Sequence, residues 1–274
     1  MSEINETTTK TATPEKEEGA GEFFKTAMLA ILLALFIRTF FFEPFNIPSG
    51  SMLPTLQIGD YLFVSKTSYG YSKYSFPFGI ADFKGRVFED EPKRGDVIVF
   101  KLPTRPSIDY IKRLVGLPGD RIQVVHGRLH INGKMIDREP VGMKRLPTPE
   151  GGNENLMEYI ETLPGGVMHS IYEVSDSEAL DNTDVYTVPE GHYFMMGDNR
   201  DNSQDSRVLD LVGYVPADNL VGRAQILFFS VDETANILKP WTWFGAIRYN
   251  RILDMVGPVR PSKEEKSGKE AAGE

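Results

Sequence analysis

The hydrophobic residues of this chain fall into one long apolar run near the N-terminus, followed by many short runs. The long run covers residues 23–42, with the sequence FFKTAMLAILLALFIRTFFF. A helix of this length would reach across about 30 Å, the thickness of a bilayer core. Only twelve uncharged residues separate Lys25 from Arg38, so both charged side chains must extend toward the membrane surfaces. The run predicts one transmembrane helix.

The residues around the long run indicate whether it is cleaved and how it is oriented in the membrane. A buried core helix is one alternative, and a cleaved export signal is another. Arg38 is followed by Thr-Phe-Phe-Phe-Glu-Pro, which offers no small-x-small cleavage site, so an uncleaved anchor fits better. Lys10, Lys16 and Lys25 precede the apolar centre, whereas Glu43–Ser65 contains no Lys or Arg. This bias predicts a single-pass protein whose N-terminus is cytoplasmic and whose body faces outward.

The short apolar runs that follow predict β-strands. They are four to six residues long, rich in β-branched or aromatic side chains, and bounded by Gly, Asp or Pro. The clearest runs are Tyr61–Val64, Asp96–Phe100, Arg121–Val125 and Ala224–Phe229. His126-Gly127 and Asn132-Gly133 lie between such runs, as the turns of β-hairpins do. The body is therefore predicted to be mainly β.

Other stretches lack this pattern. Residues 1–22 and 258–274 are rich in charge without apolar periodicity, which predicts two disordered tails, the first of them cytoplasmic. Tyr69–Glu91 predicts a long exposed loop or ribbon. Gly142–Thr187, where apolar runs thin out and acids dominate, predicts a loosely built insertion. Trp241–Ile252 combines aromatic residues and arginines, and predicts either an interfacial amphipathic segment or a helix that closes the sheet structure.

Composition narrows the range of functions. The 274 residues carry a formal net charge of −9, which argues against nucleic-acid binding, and the absence of cysteine excludes disulfides and thiol chemistry. The chain contains no G-x-S-x-G, S-x-x-K, H-E-x-x-H or G-x-x-x-x-G-K-[ST] motif. A turn separates His126 from His130, and the polar segment Asp198–Asp205 lacks the glycine and the closing glutamate of a calcium loop. We therefore expect no metal and no cofactor.

One lysine is a candidate general base. If the segment Asp109–Asp120 begins as a strand, one face carries Ile108, Tyr110, Lys112 and Leu114, and the other carries Asp109, Ile111, Arg113 and Val115. Lys112 then lies among apolar neighbours, and burial would lower its pKa from about 10.4 far enough for a neutral amine to act near neutral pH. Such an amine could deprotonate a serine without a histidine. The alternative is a lysine that extends into solvent at a strand edge.

Two polar segments would complete such a site. Asn46–Thr55 has two serines around a glycine, with prolines on both sides, which stiffens an extended loop and taken alone indicates a turn. Met196–Arg207 follows an apolar run and is dense in turn-forming and charged residues. It is either a solvated loop or a source of hydrogen bonds around a buried amine, whose isolation would be costly.

Together these segments closely resemble the motifs of the bacterial type I signal peptidases. The matches occur in the family's order over most of residues 43–230, in Ile47–Thr55, Gly59-Asp60, Arg94–Val97, Tyr110–Asp120 and Gly197–Arg207. The resemblance implies a membrane-bound serine endopeptidase that removes signal peptides from exported preproteins after small-x-small sites, through a Ser-Lys dyad.

The resemblance also implies roles for individual residues. Ser51 would be the nucleophile and Lys112 the general base, while the Ser49 hydroxyl and the Ser51 backbone N–H would form the oxyanion hole. The Ser203 hydroxyl would orient the lysine amine. Asp205 and Arg207 would support the site. The shallow pockets for small substrate side chains would be lined by Phe45, Ile47, Met52, Leu56, Tyr110 and Ile111.

The implied fold is mainly β, with an antiparallel, barrel-like catalytic domain and one N-terminal transmembrane helix. The catalytic domain would comprise residues 43–120 and 190–257, and residues 121–189 would form a β-rich insertion. The implied setting is the bacterial inner (plasma) membrane, with the catalytic domain on its periplasmic or outer side. Signal peptides and membrane lipid are the implied partners, and the export translocon is a further candidate. Members of the family often have two spans before the serine, whereas one is visible here.

Two other functions compete with this interpretation. A membrane-anchored, β-rich binding module would share the anchor and the strands, but it would have no reason to place Lys112 on an apolar strand face. A self-cleaving repressor protease uses the same Ser-Lys chemistry on a related fold. It would need a DNA-binding helical domain, which residues 1–42 do not supply.

Overall fold

The computed structural model describes residues 20–76, 81–147, 152–235 and 239–258. The first described element is helix α1, Ala20–Phe40, which starts three residues before the predicted span and ends two residues before its end. Its residues 21–40 have a mean hydropathy of 1.8, and none of this stretch is buried against the rest of the molecule. Length and composition therefore suit a membrane span. The two predicted tails lie almost wholly outside the described residues, and residues 20–22 belong to the helix.

Phe41 alone separates α1 from strand β1 (Phe42–Asn46), and the junction is held by hydrogen bonds. The Phe40 carbonyl accepts from the Tyr71 hydroxyl at 2.6 Å, and the Phe41 carbonyl accepts from the Lys66 backbone N–H at 2.9 Å. Glu43 forms ion pairs of 2.9 Å with both Arg38 and the buried Lys66. These contacts join the end of the helix to the body.

The described residues contain fourteen strands. In chain order they are β1 (Phe42–Asn46), β2 (Asp60–Ser65), β3 (Val97–Leu102), β4 (Arg105–Gly116), β5 (Arg121–Val125), β6 (Arg128–Ile131), β7 (Lys134–Met135), β8 (Asp137–Pro147), β9 (Asn153–Leu163), β10 (Val167–Glu173), β11 (Tyr186–Thr187), β12 (His192–Met196), β13 (Val215–Pro216) and β14 (Leu220–Ser230). All their ladder pairings are antiparallel, which confirms the prediction of a mainly β fold.

The largest sheet has seven strands in the order β1-β2-β14-β3-β4-β12-β13. It is an open sheet, because no ladder joins β1 to β13 in the part of the chain that the structure describes. Its strand β3 is buried on both faces: Val97 and Val99 pack into one core cluster, and Ile98 and Phe100 pack into another. A strand covered on both sides reads as a continuous apolar run, which is the pattern predicted for it.

The insertion forms two further sheets, with the strand orders β11-β5-β6-β7 and β10-β9-β8. The β5–β6 turn has φ angles of 47° at His126 and 68° at Gly127. The β6–β7 turn has φ angles of 55° at Asn132 and 79° at Gly133. Both predicted hairpins are therefore confirmed. The prediction of a loosely built stretch at 142–187 is wrong for its first part, since β8 and β9, with eleven residues each, pair at ten positions. Most β8 side chains are exposed, so backbone pairing there produces no hydrophobic run.

The prediction of a long exposed loop over Tyr69–Glu91 is wrong for part of the segment. Tyr69 and Ser75 are buried. The Arg86 guanidinium donates to the carbonyls of Tyr69, Gly70, Ala217 and Leu220 at 2.7–2.9 Å. A guanidinium has five donors in a fixed plane, so one side chain can satisfy carbonyls that no strand pairs with.

Within residues 231–235 and 239–258, the segment after β14 forms no helix that closes the sheet, so that alternative is wrong there. Its helix α2, Trp243–Ala246, has four residues. Arg251 turns inward and pairs with the buried Asp60, while Trp241 and Phe244 remain exposed, at 69% and 78% of their surface. The interfacial alternative stays a prediction.

Candidate active site

Ser51 lies in a short turn that both the core and a remote loop hold in place. Gly50–Met52 form one turn of 3₁₀ helix, and the Met52 side chain is fully buried beneath it. The Asn199 backbone N–H donates to the Ser51 carbonyl at 3.1 Å, and the Asn199 side-chain amide donates to the Gly50 carbonyl at 3.1 Å. The serine hydroxyl is thereby presented from a fixed backbone.

Lys112 reaches this hydroxyl from the middle of β4. In the ladder with β3 it lies opposite Ile98, and only 3% of its surface is exposed. Its Nζ is 2.6 Å from Ser51 Oγ and 3.1 Å from the Ile111 carbonyl oxygen. The prediction of a buried lysine is confirmed, and the alternative of a solvent-exposed lysine at a strand edge is wrong.

The surroundings of Lys112 favour its neutral form. Burial lowers the pKa of Lys112 from 10.5 to about 8, against the opposing effect of the Asp205 and Asp198 carboxylates. The Arg207 guanidinium lowers this pKa further. A pKa near the working pH allows one group to take up and release a proton within a reaction cycle.

The residue after Lys112 fastens β4 to the polar loop 197–207. The Arg113 guanidinium donates to both carboxylate oxygens of Asp198, at 2.8 and 2.6 Å, and also to the Gly95 carbonyl at 2.7 Å. Arg113 and Asp198 are each 1% exposed. A bidentate pair of this kind fixes orientation as well as distance, so the loop is held in register with β4.

Asp205 and Arg207 form a second buried ion pair, at 2.9 Å. Asp205 also accepts from the Gly197 backbone N–H at 3.0 Å. Burial alone would raise the pKa of Asp205, but the Arg207 guanidinium holds it below its usual range, so the carboxylate stays ionised. No cluster of three or more His, Asp and Glu side chains within the described ranges has the arrangement of a metal site.

Ser203 does not make the contact that the resemblance implies. Its hydroxyl is buried without a hydrogen-bond partner, whereas the Lys112 amine contacts Ser51 Oγ and the Ile111 carbonyl. Ser203 packs against Gly197: a Cβ at Gly197 would lie 2.2 Å from Ser203 Oγ and 2.6 Å from the Ser51 carbonyl oxygen. The residue is therefore within the site, with its hydroxyl unpaired.

Ser49 lies on the exposed side of Ser51. Its Oγ is 3.5 Å from Ser51 Oγ, the outer limit of a hydrogen bond. Its exposure leaves the hydroxyl free to turn toward a group bound over Ser51.

The six residues predicted to line the substrate pockets divide into two groups. Ile47, Met52 and Leu56 are core residues of one cluster, against which Phe45 and Ile111 pack. Met52 and Leu56 have no exposed surface, so in this structure they lie beneath the site. Tyr110 packs against the other cluster, and its ring centre is 5.3 Å from Lys112 Nζ.

A cavity of about 360 Å³ lies between the end of α1 and the neighbouring strands. Its lining includes Leu35 and Arg38 of the helix, Glu43 and Phe45 of β1, and Asp109 of β4. Of the residues predicted to line the substrate pockets, Phe45 borders it, whereas Ser51 and Lys112 do not.

Comparison with known proteins identifies the family. Residues 20–229 match the family described as Signal peptidase, peptidase S26. The chain belongs to the bacterial type I signal peptidases. It is similar to signal peptidase I of Rickettsia conorii, with 44% identity over 240 residues, covering 81% of this chain and 88% of that one. The corresponding figures for signal peptidase I of Rickettsia typhi are 42% over 267 residues, with coverages of 91% and 97%.

A crystal structure of a signal peptidase I from Enterococcus faecalis V583 also matches, at 27% identity. Its TM-score is 0.29, and the match covers 49% of this chain and 97% of that one. The family resemblance expected from the motifs is confirmed by the sequence comparisons, and the chain is a peptide hydrolase of this family.

Sequence reasoning gave no role in the site to Arg113, Asp198 or Asn199. All three lie inside the motif segments, and Arg113 follows the lysine directly. An arginine on a predicted apolar strand needs a buried partner, so its position was the available signal. The contacts of Asn199 carry no such signal, because they are made to backbone carbonyls distant in sequence.

Proposed function

We propose that this signal peptidase cleaves signal peptides from exported preproteins after small-x-small sites, with Ser51 as nucleophile and Lys112 as general base. The 2.6 Å contact between Lys112 Nζ and Ser51 Oγ carries the proposal. A serine is a weak nucleophile until a neighbouring base takes its proton, and a lysine can do this only where its neutral form is accessible. Burial of Lys112 supplies that condition.

The reaction follows from this geometry. The neutral Lys112 amine takes the Ser51 proton as Oγ attacks the scissile carbonyl, and the resulting ammonium passes the proton to the leaving amine. A water molecule, deprotonated by the same amine, then attacks the acyl carbon, and the ammonium returns the proton to Ser51 Oγ as the ester bond breaks. The ionised Asp205 stabilises the transient ammonium, and the unpaired Ser203 hydroxyl is available to accept a hydrogen bond from it.

The Ser49 hydroxyl and the Ser51 backbone N–H are the proposed donors to the tetrahedral oxyanion. The position of the exposed Ser49 hydroxyl 3.5 Å from Ser51 Oγ supports this role, since a carbonyl attacked by Ser51 would lie within reach of both donors. Asp198 and Arg207 act on this site indirectly, by holding the loop and the Asp205 carboxylate.

The proposed substrate is bound as an extended strand. The outer edge of β1 is unpaired in the described residues, and β12 covers β4 only from Arg113 onward. An extended peptide can add to such edges through backbone hydrogen bonds, with pockets selecting alternate side chains. Phe45, Tyr110 and Ile111 offer partly exposed apolar surface there, and the buried Ile47, Met52 and Leu56 would form the floor.

The enzyme is proposed to be anchored in the bacterial plasma membrane by α1, with its N-terminus cytoplasmic and residues 43–257 on the outer side. The cavity at the end of α1 supports delivery of a signal peptide from the bilayer to the strand edges. Membrane lipid and the export translocon are the proposed neighbours. Within the body, residues 43–120 and 190–257 would be the catalytic domain and 121–189 the insertion, which accounts for the two smaller sheets.

Cleavage of a model preprotein with an Ala-x-Ala site, by the full chain in detergent, tests the proposal. We expect Ser51→Ala and Lys112→Ala to abolish cleavage with the fold retained, and Lys134→Ala, an exposed lysine of β7, to cleave normally. Lys112→His should stay inactive, because Asp198 and Asp205 are already bound by arginines and cannot orient an imidazole. Full activity of Ser51→Ala or Lys112→Ala would contradict the dyad. No cleavage by the unaltered chain would favour a binding module.

A further inference from the structure

The insertion contacts the polar loop 197–207 through backbone hydrogen bonds. Strand β10 runs alongside residues 198–200: the Tyr172 N–H donates to the Asp198 carbonyl at 2.8 Å, and the Arg200 N–H donates to the Tyr172 carbonyl at 2.9 Å. The Val174 N–H donates to the Asp201 carboxylate at 2.7 Å. The loop that carries Asp198 and Asn199 is thus attached to the edge of the inserted sheet.

A buried ion pair strengthens this attachment. Glu161 of β9 accepts from both terminal nitrogens of Arg200, one contact measuring 2.8 Å. Glu161 is 1% exposed and Arg200 is 3% exposed. Both charges are withdrawn from water, and Glu161 acts most strongly on Arg200, ahead of the Glu173 and Asp198 carboxylates. The pair takes no part in the chemistry proposed above.

His169 of β10 fills the space between this pair and the Arg113–Asp198 pair. Its Nε2 lies 3.4 Å from Glu161 Oε2 and 4.0 Å from Asp198 Oδ1, and neither ring nitrogen is aligned for a hydrogen bond. Burial, together with Arg113 and Arg200, lowers the pKa of His169 well below 6.5. The ring is therefore a neutral spacer, and the two ion pairs do not compete with a third cation.

The two pairs lie on either side of Asn199 in the sequence. Asp198 binds Arg113, the neighbour of Lys112, and Asn199 holds the Ser51 carbonyl. Arg200, which follows, is held by Glu161. A shift of Arg200 would therefore move Asp198 and Asn199, whose hydrogen bonds position Lys112 and Ser51.

We propose that Glu161 is a positioning residue, and that the insertion, through the Glu161–Arg200 pair, holds residues 198–200 so that Ser51 and Lys112 remain in contact. The inference rests on the proposed dyad. It gives the inserted sheet a part in catalysis although, among the described residues, no hydrogen bond joins that sheet to the Ser51 or Lys112 side chain.

The mechanism predicts a signature that a purely structural role lacks. A loosened loop admits water to Lys112, and hydration raises the pKa of a buried lysine toward its ordinary value. The acid limb of kcat/KM then moves to higher pH, and the rate at about pH 7 falls about tenfold for each pKa unit. KM should change little, because the strand edges proposed to bind substrate are not altered. Loss of folded enzyme alone would lower the rate at every pH without moving the limb.

The experiment measures preprotein cleavage from about pH 6 to about pH 10 by the full chain in detergent. Glu161→Gln is compared with Glu158→Gln, the same change on the same strand, where the carboxylate pairs with Lys144 within the insertion. Arg200→Lys keeps both charges and removes only the two-pronged geometry, so it serves if Glu161→Gln fails to fold. Thermal unfolding of each variant reports the folded fraction.

We expect the acid limb of Glu161→Gln to rise by at least about half a pH unit and its kcat to fall, with a smaller shift in Arg200→Lys and none in Glu158→Gln. An unshifted limb in every folded Glu161 and Arg200 variant would overturn the inference, as would an equal shift in Glu158→Gln. Ser51→Ala and Lys112→Ala, assayed in parallel, separate the two levels. If either remains active, the dyad itself fails. If both are inactive and the limb does not move, only the positioning role fails.

Discussion

The proposed role of Lys112 as general base requires its amine to be buried enough to lose its proton and yet to be tolerated as a cation during the reaction. Burial of Lys112 on β4 meets the first demand. Asp205, which Arg207 keeps ionised, meets the second. Placing a lysine in such a site costs folding free energy. This loss of folding free energy is the consequence of using a lysine instead of a histidine as the proposed base.

The altered pKa gives a prediction for Lys112 in both activity and stability. The acid limb of kcat/KM should lie near pH 8, where the amine becomes neutral. Because the folded-state pKa is below the unfolded value of 10.5, the folded state binds fewer protons between about 8 and 10.5, and stability rises with pH across that window. Below it, burial of the amine costs about 3 kcal/mol.

Lys112→Met removes that cost along with the activity. It should be more stable than the unaltered chain at about pH 7, with the difference shrinking toward about pH 10. Urea unfolding at the two pH values measures this. A Lys112→Met protein less stable than the parent at the lower pH would show that the amine is not destabilised by burial.

Gly197 gives a second prediction at this scale. Its position leaves no room for a side chain between Ser203 and the Ser51 carbonyl. Gly197→Ala should therefore displace the Gly50–Met52 turn that carries Ser51 and lower kcat on the order of 10²-fold. Gly245→Ala, where a Cβ meets nothing within 4 Å, is the matched control. Equal kcat values for the two variants would argue against tight packing around Ser51.

At the scale of elements, β3 and the β5–β6–β7 hairpins were predictable, and the pairing of β8 with β9 was not. β3 is an apolar run because both of its faces are buried. β4 carries charged residues and is exposed over its first five residues, so its strand could only be assumed; given the strand, alternation places Lys112 on the face of Tyr110 and Leu114. β8 is mostly exposed and β9 is mostly half-buried, so neither leaves a clear hydrophobic pattern. The contacts of Asn199 and Arg200 join segments far apart in sequence, and no local rule anticipates them.

The Arg113–Asp198 pair should be the strongest link between β4 and the catalytic loop. Asp198→Asn leaves a buried guanidinium without its counter-charge, which costs about 3–5 kcal/mol. Arg223→Gln, which breaks a 3.6 Å pair whose arginine is 41% exposed, should cost less than about 1 kcal/mol. Urea unfolding compares the two, and similar losses would mean that burial does not set the strength of these pairs.

At the scale of the whole molecule, the segment 241–252 can be tested by its own fluorescence. Trp241 and Trp243 are the chain's two tryptophans. If the segment rests on lipid, their emission should shift to the blue in vesicles and be quenched by brominated acyl chains, and most of the change should vanish in Trp241→Phe because Trp241 is the more exposed. If the emission is the same in vesicles without brominated lipid and in vesicles with it, both free of detergent, the segment lies in water.

The one-residue junction between α1 and β1 has a consequence for how a cleavage site is chosen. If α1 is the membrane anchor proposed above, the hydrogen bonds from the body to the carbonyls of Phe40 and Phe41 tie Ser51 to the end of that anchor through the short strand β1, about 17 Å long. A substrate anchored in the same bilayer would then meet Ser51 at a set distance from the membrane. Under the proposed function, small residues would be cut only where the length of the signal brings them to that height.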